Sequence, residues 1–448
     1  MSQKNLEKLL KSKERTIDNP YYLEKIWHLE DSNNFNNSMK EYYPPDIWFI
    51  GRNRIFENEI SKSIEKAKEL IVICSFLIQE TEITKALMKA ANKGVRIYIL
   101  TASEQRLDKD QGRENETENE RIEDHKKLLR ILKTNCFIRT ARHFHAKFIL
   151  IDPKNESRTG YLSSANFTQH ALSNNLEIGI KLNGKQIIDL FNTFCQAFWY
   201  EAEHESLSRE SLRSVKKIDE RLFDKPIINH IFGAKQDIGF KETLEETIEE
   251  TTGPIYLCTY SISQSTTLFD ILDKQLQKGR KIYLYTRPRK SDIESLARLK
   301  ESGAQIKGHI LLHMKGMFIE DKDKLIGMIF TGNLTSESFD ESYDVGIFLS
   351  KDQNKRILPI IKSWDEIIPG TFYNNKGIKN LKAGNYIRWE RDKEDFQIKE
   401  NEIINIGEIE VEEIKNMKNL ESKLKIPDSL KFKARTFTFV WEIKTTKN

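Results

Sequence analysis

The sequence repeats a motif-bearing segment, and such a duplication limits the fold to a pair of similar lobes. HFHAKFILID, residues 143–152, places His145 and Lys147 ahead of the apolar run Phe148, Ile149, Leu150 and Ile151. LHMKGMFIED places His313 and Lys315 in the same way ahead of a second apolar run. SSANFT follows the first copy with Ser164 and Asn166, and FTGNLT follows the second with Thr331 and Asn333. Eleven residues beyond each asparagine stands an acid, Glu177 in NNLEIGI and Asp344 in SYDVGIF. Upstream, residues 69–102 and 253–288 each read as strand, amphipathic helix, Lys-Gly stop and second strand, which is a βαβ unit. Cys74 and Cys258 take matching strand positions in it.

Residues i and i+2 of a strand share a face, so His145 and Lys147 are expected side by side, as are Ser164 and Asn166. A buried ammonium without a counter-charge is costly, so Lys147 must face an anion, a carboxylate or a wet cleft. The 448 residues, 38% hydrophobic and 31% charged, suffice for two sizeable cores. A net charge of +4 permits a polyanionic partner without demanding one. Cys74, Cys136, Cys195 and Cys258 sit in apolar segments with no CxxC spacing, which points to buried free thiols, not to a disulfide framework or zinc site. MSQKNLEKLLKSKERT lacks a signal peptide's apolar core, and no apolar run approaches the roughly 20 residues that span a bilayer, so a cytoplasmic protein is expected.

Four segments follow: an N-terminal extension (1–45), a first lobe (46–215), a second lobe (216–370) and a small C-terminal accessory domain (371–448). A charged insert at 102–120 has no counterpart in the second lobe and reads as a surface loop or a lid. SLRSVKKIDERLFDKP reads as the connector between lobes. Near the C-terminus, Phe437, Phe439, Trp441 and Ile443 alternate as in a half-buried strand, after Lys431, Lys433 and Arg435. That end would suit targeting to a substrate or a protein partner.

HAKFILID followed by SSANFT resembles the HxK(x)4D…GSxN signature of the phospholipase D superfamily. His145, Lys147, Asp152, Ser164 and Asn166 fall on its positions, with Ser163 where glycine is usual. In the second copy His313, Lys315 and Asn333 match, while Glu320 holds the aspartate position, Thr331 replaces the serine and Phe330 the glycine. The resemblance covers roughly residues 46–370. It implies an α/β fold of two duplicated lobes, each a mixed sheet flanked by helices, sharing one active site.

Such a site would place His145 and His313 on opposite sides of one phosphorus, one attacking and one protonating the leaving oxygen. Lys147, Lys315, Asn166 and Asn333 would stabilise the transition-state charge, with no metal and no cofactor. Glu177 and Asp344 are expected to hold the histidine tautomers, Glu177 that of His145 and Asp344 that of His313. The resemblance makes the motif acids Asp152 and Glu320 structural. For substrate, Arg142 ahead of the first motif and Arg287, Arg289 and Lys290 in YTRPRKSD suit phosphate-backbone contacts. The expectation is a nuclease acting on DNA or RNA through a covalent phosphohistidine. A phospholipid hydrolase or transphosphatidylase, and a nucleic-acid-binding subunit without turnover, are the alternatives.

Overall fold

A computed structural model describes residues 11–12, 25–29, 46–50, 54–103, 107, 116–206, 212–215, 230–233, 239–309, 311–322, 324–368, 370–374, 384–389 and 438–445. The chain forms two compact units, one of Tyr43–Leu272 with Leu311–Lys362, the other of Met1–Tyr42, Asp273–Ile310 and Ser363–Asn448. These boundaries depart from the four segments expected, because strand pairing gathers distant stretches. Lys25–Leu29, in the expected extension, pairs antiparallel with both Gly370–Asn374 and Gly384–Trp389. Gly370–Asn374 also pairs with Gln305–Gly308, so the segment beyond 371 continues a sheet begun within the second lobe. Thr438–Thr445 is a strand, as the alternation of Phe439, Trp441 and Ile443 implies, and it pairs with Gly384–Trp389. Lys431, Lys433, Arg435 and Phe437 lie outside the described residues.

The first compact unit holds both motifs. Its first sheet contains β1 (Ile47–Ile50), β2 (Leu70–Ser75), β3 (Arg96–Ala102), β4 (Phe137–Ala141), β5 (Phe148–Ile151), β6 (Thr159–Ser163) and β7 (Glu177–Lys181). The described strands run in the order 212–214, 204–206, β4, β3, β2, β5, β6, β7, β1. β2, β3 and β4 are parallel, and the rest of the sheet beyond β2 is antiparallel. Parallel neighbours need a crossover, and the helix Glu82–Asn92 supplies it between β2 and β3. That helix buries Ile83, Ala86, Leu87 and Ala90, the i, i+3, i+4, i+7 stripe of one face. Thr81 and Thr84 cap its start reciprocally. The expected Lys-Gly stop ends it, with Gly94 at φ +89, a conformation that favours glycine.

Ile71, Ile73, Ile97, Ile99 and Ile149 are fully buried between sheet and helices. Each such side chain contributes about 1.5–3 kcal/mol on leaving water. The second lobe repeats the pattern within the same unit. There β8 (Ile231–Gly233), β9 (Ile255–Thr259), β10 (Gly316–Asp321), β11 (Lys324–Phe330) and β12 (Val345–Phe348) run in the antiparallel order β9-β10-β11-β12-β8. Cys74 opposes Phe148 and Cys258 opposes Gly316, each three residues past a motif histidine, so the two lobes share one register. Cys74, Cys136 and Cys258 are buried, Cys195 is half-buried, and all four are free thiols.

Of the charged insert, Ala102, Ser103, Leu107 and residues 116–120, which begin the helix Glu116–Leu132, are described. Leu107 is buried with Leu77, Ala102 and Ile122. The connector is described only at Leu212–Ser214, which pairs with His204–Ser206, and at Val215.

Candidate active site

Each histidine lies beside its lysine, as expected, but just outside the regular ladders, which stop short of the polar residues. β5 begins at Phe148 and β10 at Gly316, so both His-x-Lys triplets are extended lead-ins to strands. Likewise β6 ends at Ser163 and β11 at Phe330, leaving Ser164, Asn166, Thr331 and Asn333 in the bends beyond. The backbone of each histidine segment finds partners in the other lobe instead. His145 N–H donates to Tyr343 O at 3.2 Å, and Tyr343 N–H donates to His143 O at 2.6 Å. In mirror fashion, His313 N–H donates to Leu176 O at 3.0 Å, and Leu176 N–H donates to Leu311 O at 2.7 Å. Phe144 pairs with Tyr343 and Leu176 with Leu312 as isolated parallel bridges.

This interlock decides which acid meets which histidine. Tyr343 and Leu176 each immediately precede a site acid, so each acid is delivered to the opposite lobe's imidazole. His145 Nδ1 lies 2.8 Å from Asp344 Oδ1, and His313 Nδ1 lies 2.6 Å from Glu177 Oε1. The in-lobe pairing expected from the sequence, Glu177 with His145 and Asp344 with His313, is therefore corrected to a crossed one. Each acid is steadied from its own lobe, Glu177 by Ser164 Oγ at 2.6 Å and Asp344 by Thr331 Oγ1 at 2.7 Å. Two relays result, Ser164–Glu177–His313 and Thr331–Asp344–His145. Asn175 Nδ2, at 3.5 Å, also leans on Glu177. Thr331, which replaces the usual serine, performs the serine's task.

Electrostatics follows from burial. Lys147 and Lys315 are 0% exposed, while His145 and His313 keep 24% and 21% of their side chains open. Burial pulls the Lys147 ammonium down to about 7, against the attraction of Asp344 and with the help of Lys315. Burial, and then Lys147, lowers His145 below the ordinary imidazole value, favouring its neutral form. Burial would raise Glu177 and Asp344, but His313 and Lys315 around the first, and His145 and Lys147 around the second, outweigh it, so both carboxyls titrate low. An ionised acceptor on Nδ1 leaves the Nε2 lone pair for chemistry. Lys147 Nζ sits 3.1 Å from Nε2 of His145, and Lys315 Nζ sits 2.9 Å from Nδ1 of His313. The side-chain oxygens of Asn166 and Asn333 are buried without a hydrogen-bond partner among the described residues.

Space is tight around Asp344. A Cβ on Gly332 would stand 2.8 Å from Asp344 Cγ and Oδ2 and 2.7 Å from Phe240, so a glycine is needed there to keep the carboxylate on His145.

The motif acids are scaffold. Asp152 accepts from the backbone N–H groups of Lys68, Glu69 and Leu70 at 2.8, 2.8 and 2.9 Å, fixing the entry to β2. In the second lobe Asp321 does this work, not Glu320 as expected. Asp321 Oδ1 accepts from Thr252 N, Thr252 Oγ1 and Gly253 N at 2.8, 3.0 and 3.0 Å, and these bonds, Thr252's first, hold its pKa low. Glu320 turns to Lys362 at 2.7 Å. Pro254 stands where Leu70 stands in the first lobe and has no N–H to give, so Asp321 accepts from two backbone donors where Asp152 accepts from three. Asp152→Ala is expected to lower stability by about 2–4 kcal/mol by removing the acceptor of three part-buried backbone donors. Thermal denaturation checks the loss, and turnover at a temperature where the variant stays folded should remain near wild type.

Among the expected substrate contacts, Arg142 is exposed three residues before His145. Arg287, Arg289 and Lys290 belong to the other compact unit. Arg287 departs from a solvent-facing rim: it is 9% exposed, beside His309, which burial and then that guanidinium pull down to about 4. Arg289 is half-buried, and the Lys290 side chain lies outside the described residues. Gly332, Asn175, Phe76 and Tyr260 went unseen in the sequence, and Asp321 stands out there only as the neighbour of Glu320. Aligning the repeats would have matched Phe76 with Tyr260, whereas nothing in the sequence marks Asn175.

A family model described as "Cardiolipin synthase, PLD-like domain" matches residues 60–199. No curated protein matches the sequence. Among solved structures, phosphatidylserine synthase of Haemophilus influenzae Rd KW20 is similar at 12% identity and TM-score 0.50, over 83% of this chain and 92% of that one. Polyphosphate kinase of Porphyromonas gingivalis is similar at 13% identity and TM-score 0.50, over 73% of this chain and 47% of that one, so the chain spans about half the kinase's length. The phospholipase D family member Nuc of Salmonella typhimurium is 21% identical, with TM-score 0.28, over 37% of this chain and 100% of that one. Residues 60–199 match a phospholipase D-like domain, and the chain as a whole is similar in fold to phosphatidylserine synthase.

Proposed function

We propose that the protein is a metal-independent nuclease that cleaves DNA or RNA through a phosphohistidine on His145. The observation that carries the reading is the crossed pair of histidine–carboxylate contacts, each beside a buried lysine. A diester phosphate entering the site draws Lys147 from Nε2 onto its own oxygen, which frees the nucleophile's lone pair. His145 Nε2 then bonds to phosphorus as the bond to the leaving oxygen breaks, and His313 gives that oxygen its proton. In the second step His313 takes a proton from water, the water oxygen bonds to phosphorus, and the phosphorus–nitrogen bond breaks. Lys147, Lys315, Asn166 and Asn333 stabilise the charge on the non-bridging oxygens in both steps. Neutral His145, favoured by its burial, suits attack, and the short contact of His313 with Glu177 suits an imidazolium ready to donate.

Exposed Arg142, three residues ahead of His145 in the sequence, supports a polyanionic substrate. Phosphatidyl transfer is the rival reading, since a phosphatidylserine synthase shares the fold. Lysine charge stands where other nucleases use a divalent cation. Cleavage of labelled single-stranded DNA or RNA should therefore survive excess EDTA. Loss on chelation with rescue by a divalent ion would overturn the metal-independent route, and head-group release from phospholipid vesicles without cleavage of either nucleic acid would establish the rival. No described helix is long and apolar enough to cross a membrane. We place the activity in the cytoplasm.

A further inference from the structure

Two aromatic side chains flank the histidines without a part in the chemistry above. Phe76, just past β2, has its ring centroid 5.4 Å from that of His145, at 65°. Tyr260, just past β9, lies 4.4 Å from His313 at 54°, with Lys315 Nζ 5.8 Å from its ring. They are equivalent positions of the repeat, each two residues after a buried cysteine, Cys74 or Cys258. Both rings are only half-buried.

Their mountings are firm. Ser75 Oγ donates to Leu77 O at 2.6 Å and accepts from Phe167 N at 3.1 Å, and Thr101 Oγ1 donates to Phe76 O at 3.0 Å. In the second lobe Thr259 Oγ1 donates to Ser261 O at 2.7 Å. Phe76 is backed by the buried cluster of Leu77, Ala102, Leu107 and Ile122. A ring needed only as core would be covered; these are partly open, fixed in place and adjacent to the two groups that act on phosphorus.

The substituents nearest a phosphodiester in nucleic acid are nucleosides, and every base has a π-face that stacks on an aromatic side chain whatever its identity. In a duplex those faces are already stacked on neighbouring bases, so such a platform takes bases from an unpaired strand. We propose that Phe76 and Tyr260 are base-stacking platforms on either side of the scissile phosphate and make single-stranded nucleic acid the preferred substrate. The proposal rests on the nuclease reading. Tyr260, beside the proton donor His313, takes the base of the departing nucleoside. Phe76, against His145, takes the base of the nucleoside retained on the phosphohistidine.

The test uses a short single strand with one cleavable diester, its other linkages made neutral methylphosphonates, and with the base present or absent on either side of that diester. For the wild-type protein, removing the departing base should lower kcat/KM roughly 5- to 150-fold, the range stacking on one base supplies. Tyr260→Leu should impose the same loss on the intact strand and no further loss on the strand lacking that base. Phe76→Leu should couple in the same way to the retained base. The strand without the base doubles as the folding control, because a platform variant cleaves it at the wild-type rate. If Tyr260→Leu and Phe76→Leu slow intact and base-less strands by the same factor, or if base removal costs the wild-type protein nothing, the rings merely pack the histidines and the proposal falls while the nuclease reading stands. If no nucleic acid is cleaved in any form, the nuclease reading falls and takes the proposal with it.

Discussion

With a 32P-labelled diester that bears a good leaving group, the His313→Asn protein is expected to retain label covalently on His145, and the His145→Asn protein to retain none. An activated leaving group departs without a proton, so loss of the general acid does not prevent attack. It does prevent the activation of water, and the adduct accumulates. On an ordinary diester both variants should lose turnover, His313→Asn by at least the 10²–10⁴-fold that general acid–base assistance supplies, and His145→Asn by more, since it removes the nucleophile. Denaturation followed by acid- and base-stability assays identifies a phosphoramidate, and peptide mapping locates it. Label on His313 would reverse the two roles. Label on neither would remove the covalent step.

The crossed contacts make a second expectation that in-lobe pairing would invert. Asp344, in the second lobe, lies on His145, and Glu177, in the first, lies on His313. Asp344→Asn should therefore copy His145→Asn and form little adduct even with the activated substrate, because an amide no longer fixes the Nδ1–H tautomer that exposes the Nε2 lone pair. Glu177→Gln should copy His313→Asn, forming the adduct and releasing it slowly. A loss in kcat of about 10⁴-fold is the scale for such a carboxylate-to-amide change at a catalytic histidine. Adduct formed by Asp344→Asn but not by Glu177→Gln would place each acid's action in its own lobe and contradict the geometry.

The duplication, the βαβ order and the chemistry-bearing residues were legible because each leaves a local trace. Apolar runs mark β2, β5 and β9, the stripe of Ile83, Ala86, Leu87 and Ala90 marks a helix, and repeated spacing marks the two sites. What escaped was set by contacts that spacing does not encode. Glu177 and Asp344 are each eleven residues from their own lobe's asparagine, but their partners follow from loop pairing at Leu176 and Tyr343. Asp321, and not Glu320, meets the backbone of Thr252 and Gly253, a choice between adjacent acids that spacing alone does not make. Arg287 reads as a basic surface residue by composition alone, while its burial beside His309 is a property of the folded unit. The strand pairing of residues 25–29 with 370–374 joins segments from opposite ends of the chain, and neither sequence marks the other as its partner.

The exchange of acids between lobes also bears on how the protein comes into being. His145 leaves the ribosome 199 residues ahead of the carboxylate that orients it. At 5–20 residues per second that interval is roughly 10–40 s. During it the first lobe carries a histidine with no fixed tautomer and a Glu177 whose own partner is unmade. A nascent or truncated chain thus has no assembled centre, however well its first lobe folds. For the nuclease activity proposed above, synthesis itself would act as a safety interval, because the centre is complete only once the Asp344 segment has joined the first lobe.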